Sequence, residues 1–268
     1  MPRSFPHITA RCFVNVPFER LRLDLQRIID FRLQPEIGLD DDVLYDRSRR
    51  EFTEAADALK AAGLACTLHA PFSDLCPGAW DRCIRKASLD KLKLAFDLIP
   101  VFEPAAIVCH LNFEPHKHGS KQDEWFAQSM DTWLQLLAIA SRHRTPLMLE
   151  NTYETGPAMH VRILQALASP HARFCFDVGH TLAFARTPWQ EWLPALTPWL
   201  GQLHLHDNHG DYDAHLAIGA GDFDFSGFFT YLQTLASRPI ITLEPHSEKA
   251  LLESLASLDR LGLFADSA

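Results

Sequence analysis

The chain is short of positive charge: 25 Lys and Arg stand against 34 Asp and Glu, a formal net charge of -9 over 268 residues. That balance disfavours a protein whose affinity rests on nucleic-acid phosphates or on an anionic membrane surface. No cluster of Arg and Lys of the kind that tracks a phosphate backbone follows any expected strand. Apolar runs long enough to span a bilayer are missing, and the N-terminus, MPRSFPHITARC, lacks the apolar segment of a signal peptide. The six cysteines (Cys12, Cys66, Cys76, Cys83, Cys109, Cys175) contain no Cys-x-x-Cys pair, and three of them fall inside apolar runs that read as strands. They read as reduced core residues of a cytoplasmic protein, not as a disulfide framework. These absences lead to the expectation of a cytoplasmic protein with a small-molecule partner and no membrane or nucleic acid. They leave the oligomeric state open.

A Gly-rich loop after the first expected strand is also missing, which disfavours a doubly wound nucleotide-binding sheet. What the chain does have is a βα rhythm. Strands are expected at 7–16, 35–39, 64–69, 105–111, 146–150, 173–177, 203–205 and 239–244, with amphipathic helical segments after each and a last helix over 248–261. Near-continuous apolar strands alternating with such helices imply a parallel sheet covered on both faces. Eight units without repeat, low-complexity tract or linker predict one (β/α)8 barrel over residues 1–268 as a single domain. The groups Trp125, Phe126, Trp133 and Trp189, Trp192, Trp199 stand at helical spacings and read as core.

The densest chemistry lies in the stretch from Gln202 to Asp222, QLHLHDNHGDYDAHLAIGAGD, where His204, His206, His209 and His215 interleave with Asp207, Asp211, Asp213 and Asp222. Imidazoles and carboxylates packed this closely repel or desolvate one another unless a cation lies between them. The same residue types close the other strands: His69, His110, Glu150, Asp177 and Glu244 stand at strand ends, His204 lies on the seventh strand, and His180, Asp213 and His215 lie just beyond strand ends. Any one of these has an ordinary explanation as a capped or hydrogen-bonded side chain. Six consecutive strands ending in ligand-type residues are hard to obtain from structural needs alone, because in a barrel these ends converge on one face. Five imidazoles with four carboxylates suit zinc, manganese or cobalt better than calcium or magnesium.

His206 shares strand parity with His204 and is a candidate for supporting the ligands or touching substrate. Glu36 on the second strand and Asn151 are candidate substrate contacts, with packing the alternative. His116, Lys117 and His118 read as a solvated loop over the same face.

Taken together, LENT (149–152), DVGH (177–180), HLHDN (204–208), DAH (213–215) with GAGDFDF following, and TLEP (242–245) resemble the xylose isomerase-like TIM barrels, which include endonuclease IV and many sugar-phosphate isomerases and epimerases. The resemblance covers the third to eighth strands. Its epimerase branch implies one metal on Glu150, Asp177, His204 and Glu244, the two glutamates doubling as the acid–base pair. Its endonuclease IV branch implies three zinc ions: His69, His110 and Glu150 on the first; Glu150, Asp177, His204 and Glu244 on the second; His180, Asp213 and His215 on the third. All nine positions of the longer pattern are filled. The reading that follows is a two- or three-metal enzyme, with zinc favoured over manganese or cobalt, that hydrolyses a phosphoester or similar bond in a small sugar- or nucleotide-like molecule. Glu150 and Glu244 would hold and orient the cluster. The alternative is a one-metal sugar or sugar-phosphate isomerase or epimerase in which Glu150 and Glu244 are acid and base.

Overall fold

The computed structural model describes residues 5–236 and 238–264. Eight parallel strands pair in sequence order and close on themselves: β1 Phe13–Pro17, β2 Gln34–Gly38, β3 Thr67–His69, β4 Ile107–His110, β5 Leu147–Glu150, β6 Ala172–Asp177, β7 Leu200–Leu205 and β8 Ile240–Leu243. Each leads into a helix that packs outside the barrel: α1 Phe18–Asp30, α2 Arg49–Ala61, α3 Arg82–Phe96, α4 Gln122–Arg142, α5 Ala158–Leu167, α6 Trp189–Leu196, α7 Phe225–Gln233 and α8 Glu248–Leu261. The chain is thus a (β/α)8 barrel. None of its helices is long and apolar enough to cross a membrane, among the described residues.

Local sequence explains the boundaries. Ser48 and Glu51 form a reciprocal capping box at the start of α2, and Asp81 and Ser247 cap α3 and α8 through their side-chain oxygens, each satisfying donors that a helix leaves free. The inward stripes carry Leu21, Phe52, Leu92, Trp133, Trp192 and Leu255, all buried, as the aromatic spacing predicts. The expected first strand starts too early: residues 6–9 form a helical turn instead, with Pro6 at its first position. Proline's fixed φ and missing N–H suit a helix start and disfavour strand pairing. The loop after β4 also differs from expectation, because Pro115–His118 is a helical turn and His118 is buried, its Nδ1 accepting the backbone N–H of Glu114.

Strand alternation divides the barrel interior into layers. At the bottom, Ala106, Val108, Met148 and Cys175 form a small apolar plug. Above it Glu36 accepts from Thr67 Oγ1 (2.8 Å), Gln202 Nε2 (2.5 Å) and Thr242 Oγ1 (3.2 Å). The top layer is the rim of strand ends carrying the histidines and carboxylates. Cys12 and Cys66 are core residues whose thiols burial pushes up to about 12, which keeps them protonated. All six cysteines are free.

Candidate metal centre

The register sets His110 beside Glu150 and Asp177 beside His204, so neighbouring strands deliver their last inward side chains to one place. Glu150 lies at the centre, 1% exposed. Its Oε2 is 3.2 Å from Nε2 of both His69 and His110. Its Oε1 is 3.3 Å from His204 Nδ1 and 3.5 Å from His180 Nδ1. Glu244 Oε1 lies 3.2 Å from the same His204 Nδ1. A few ångströms away Asp213 Oδ2 is 3.3 Å from His180 Nε2 and 3.0 Å from His215 Nε2. All nine residues expected as ligands therefore converge; His69, His110 and Glu150, and His69, His204 and Glu244, place their donor atoms within 4.8 Å of one another, and His206 joins Asp177 and His180, or Asp213 and His215, in the same way.

Whether this donor set fits divalent ions can be tested on its hydrogen bonds. A metal-binding imidazole needs its inward nitrogen free of a proton, which follows when the other nitrogen donates outward. His69 Nδ1 donates to the Ala70 carbonyl (3.1 Å), His180 Nδ1 to the Asn151 carbonyl (2.8 Å) and His215 Nδ1 to the Glu244 carbonyl (3.0 Å). His110 Nδ1 pairs with Thr152 Oγ1 (3.0 Å), and His204 Nε2 has Glu36 Oε1 at 3.0 Å. The inward atoms His204 Nδ1 and Asp213 Oδ1 are buried and make no hydrogen bond. Five imidazoles oriented in this way around four carboxylates, Glu150, Asp177, Asp213 and Glu244, fit a cluster of divalent cations.

Three residues for which the sequence left alternatives open have defined partners in the structure. Glu36 lies under His204, fully buried, and orients that ring instead of facing the cavity. Asn151 is spent on the backbone of Asp177, its Nδ2 donating to the carbonyl and its Oδ1 accepting the N–H, both at 2.9 Å. His206 presents Nε2 to both oxygens of Asp177 (3.1 and 3.0 Å) and stacks flat on His215, with ring centroids 3.9 Å apart. Gly179 of DVGH makes room for it: a Cβ there would fall 2.0 Å from His206 Cε1. Phe72, which the sequence does not mark, and Asp207, which it marks only as one carboxylate of the loop, also shape the rim. Phe72 stacks on His110 at 4.2 Å, and Asp207 accepts four backbone N–H groups from its own loop.

Charge at the rim is tightly coupled. Burial opposes protonation of His69 and His215, but Glu150 beside the one and Asp213 beside the other lift both to about 9. Burial alone would raise Glu36; His204 next to it holds the carboxyl at about 2. The sign of the consequence is fixed by linkage. In metal-free protein the two histidines contribute stability that is complete below 6.5 and lost as pH rises through 9, while Glu36 contributes stability present above 4.5 and lost as pH falls toward 2. Metal-free protein is therefore expected to melt highest between about pH 4.5 and 6.5, and added zinc to raise the melting temperature more at pH 8.5 than at pH 6. A chelated sample whose melting temperature climbs from pH 6.5 to 9 would contradict this assignment.

The family model of the xylose isomerase-like TIM barrel matches residues 32–261. The chain belongs to that family. An uncharacterized protein of Methanocaldococcus jannaschii is 25% identical over 184 residues, a match that covers 66% of this chain and 63% of that relative's length. Among solved structures, a D-tagatose 3-epimerase-like protein superposes with a TM-score of 0.80 at 20% identity, covering 93% of this chain and 96% of its own. A Thermus thermophilus protein soaked with zinc chloride gives 0.79 at 24%, covering 95% and 98%. The 3-keto-D-glucoside 4-epimerase of E. coli gives 0.72 at 18%, covering 94% and 98%. At these identities the likenesses establish the fold.

Proposed function

We propose that this protein is a divalent-metal enzyme whose site takes more than one ion and which hydrolyses an ester, most simply a phosphoester, of a small hydroxylated molecule. The observation that carries this reading is the position of Glu150, with Oε2 turned to His69 and His110 and Oε1 turned to His204. One carboxylate standing between two ligand sets suits a bridge; a proton-shuttling base needs one oxygen turned toward substrate. Ions bound there would supply Lewis acidity and a lowered pKa for water. The chain's own residues do the rest. Asp177 and His180 hold the rim from β6 and its following turn, and Asp213 and His215 hold it from the loop after β7. Glu244, whose pKa burial raises, would hold the cluster from the end of β8, its Oε1 lying 3.2 Å from His204 Nδ1 and 3.4 Å from Asn15 Nδ2. Zinc is the ion proposed, with manganese or cobalt as the alternative, and cytoplasmic action on a small molecule is proposed with it.

A second reading has its own support. The relatives described above that are named for an activity are sugar epimerases, and those names favour isomerisation or epimerisation over hydrolysis. In that reading Glu150 and Glu244, both within 3.3 Å of His204 Nδ1, act as acid and base across a single ion.

Elemental analysis of protein purified without chelator separates the two, combined with His215→Ala. The hydrolase reading expects two to three zinc ions per chain, the loss of about one in the variant, and a fall in phosphoesterase activity of about a hundredfold or more. One manganese or cobalt per chain, with ketose epimer interconversion unchanged in the variant, would establish the second reading instead.

A further inference from the structure

The cavity over the cluster encloses about 740 Å3 and does not end at the metal ligands. Beyond Asn15 and Glu244 it continues outward between α1 and α8, where its walls are Val14, Ile28, Phe31, Leu33 and Leu251. This arm lies outside the seam of the barrel, where β1 and β8 share only two register pairs, Phe13 with Thr242 and Val14 with Leu243. Its rim is polar but internally paired: Arg27 of α1 reaches Glu248 of α8 at 2.5 Å, and Arg20 pairs with Asp24. Neither pair leaves an uncompensated charge to draw an ion into the arm.

A cavity of this size buries a ligand larger than one sugar ring. Hydroxyl groups placed against the five apolar walls would lose their water without gaining partners. We infer that the arm receives an apolar group of the substrate while the hydroxylated, reacting portion lies at the cluster: the substrate is an amphipathic molecule, not a free sugar or sugar phosphate. This rests on the reading of the cluster as the reaction site.

The test measures binding of methyl, butyl and hexyl phosphate to zinc-loaded protein by calorimetry. An apolar arm continuous with the cluster gains about tenfold in affinity for every two methylenes buried, so hexyl phosphate is expected to bind about a hundredfold or more tighter than methyl phosphate. Leu251→Trp, which fills the arm, is expected to remove that gain while leaving methyl phosphate affinity and zinc content unchanged. Equal affinities for the three phosphates in the unaltered protein would overturn the inference, whether or not the variant folds. Persistence of the chain-length dependence in a protein that turns over no phosphoester would remove the hydrolase reading and leave the arm in place. Failure of all three to bind to zinc-loaded protein would overturn both.

Discussion

Protein carrying Glu150→Gln is expected to leave purification stripped of most of its metal and to lose activity by about a thousandfold. The substitution keeps the shape of the side chain and removes its charge. Three inward imidazole nitrogens, His69 Nε2, His110 Nε2 and His204 Nδ1, lie within 3.3 Å of the carboxylate oxygens, so an amide NH2 would put a donor where a cation between these groups needs a charged acceptor. Removing one partner from a buried charged set costs about 3–5 kcal/mol, enough for a loss of two to three orders of magnitude in metal affinity. His69 and His215 lose the cluster's negative potential unequally, because Glu150 acts directly on the first and Asp213 on the second. The ions on the His69 and His204 sides should therefore leave together, with the Asp213 side retained longest. Elemental analysis during dialysis against a weak chelator checks the order. Full metal content with activity within tenfold of the parent would show that Glu150 does not bridge.

A second large effect is expected from Asp207→Ala, in stability instead of chemistry. Asp207 is buried, and its Oδ1 accepts from the backbone N–H of Asn208 (2.9 Å) and Phe223 (3.1 Å), its Oδ2 from Gly219 (3.0 Å) and Gly221 (2.9 Å). Its own backbone pairs both ways with Leu216. One side chain thus folds the whole excursion that carries Asp213 and His215 back over the rim. Hydrogen bonds to a charged acceptor are worth about 1.5–3 kcal/mol each and do not add fully, which puts the loss at about 3–5 kcal/mol. For a chain of this size that corresponds to a fall of about 10 °C in melting temperature. Asp207→Asn, which keeps one acceptor, should fall between the two. The loop packs tightly here: a Cβ added at Gly221, whose N–H is one of the donors, would meet the Asn208 carbonyl oxygen at 2.3 Å. A thermal scan in which Asp207→Ala melts within 1–2 °C of the parent would show that the loop is held by something other than this carboxylate.

Much of the architecture was legible in the sequence because periodicity and strand ends are local signals. Apolar runs bounded by Pro, Gly and polar residues gave the strands, and residues closing those runs are the ones a barrel must bring together. The convergence of the candidate ligands on one rim was legible for that reason, together with the motif resemblance. The roles of Glu36, Asn151 and Asp207 were not, since each depends on partners 26 residues or more away, or on backbone groups that carry no letter in the sequence: Gln202 for Glu36, the Asp177 peptide for Asn151, the loop amides for Asp207. Parity alone placed His206 at the rim but could not choose between support and substrate contact; in the structure it lies against Asp177 and His215. The first strand was misjudged because His7–Thr9 is apolar enough for either state and the helix signal rests on Pro6. The choice between hydrolysis and isomerisation was not fixed by residue types, and the relatives named for an activity favour the alternative, not the first reading.

The expected ligands come from the ends of β3 to β8 and the segments that follow them, and none comes from β1 or β2, which offer only Asn15 and Glu36 as supports. Ions held there would therefore act as a hoop that is open on one side. The strands they tied would share a common fate under thermal fluctuation, whereas β1 is fastened to β8 by two residue pairs and to β2 by its own ladder. Metal should slow amide exchange around most of the circumference and leave the β1–β8 junction nearly as quick as before, making it the hinge line along which the barrel breathes. A bulky apolar group entering between α1 and α8 would then use a motion the fold already has, with the chemical end of the site held rigid while its neighbour gives way.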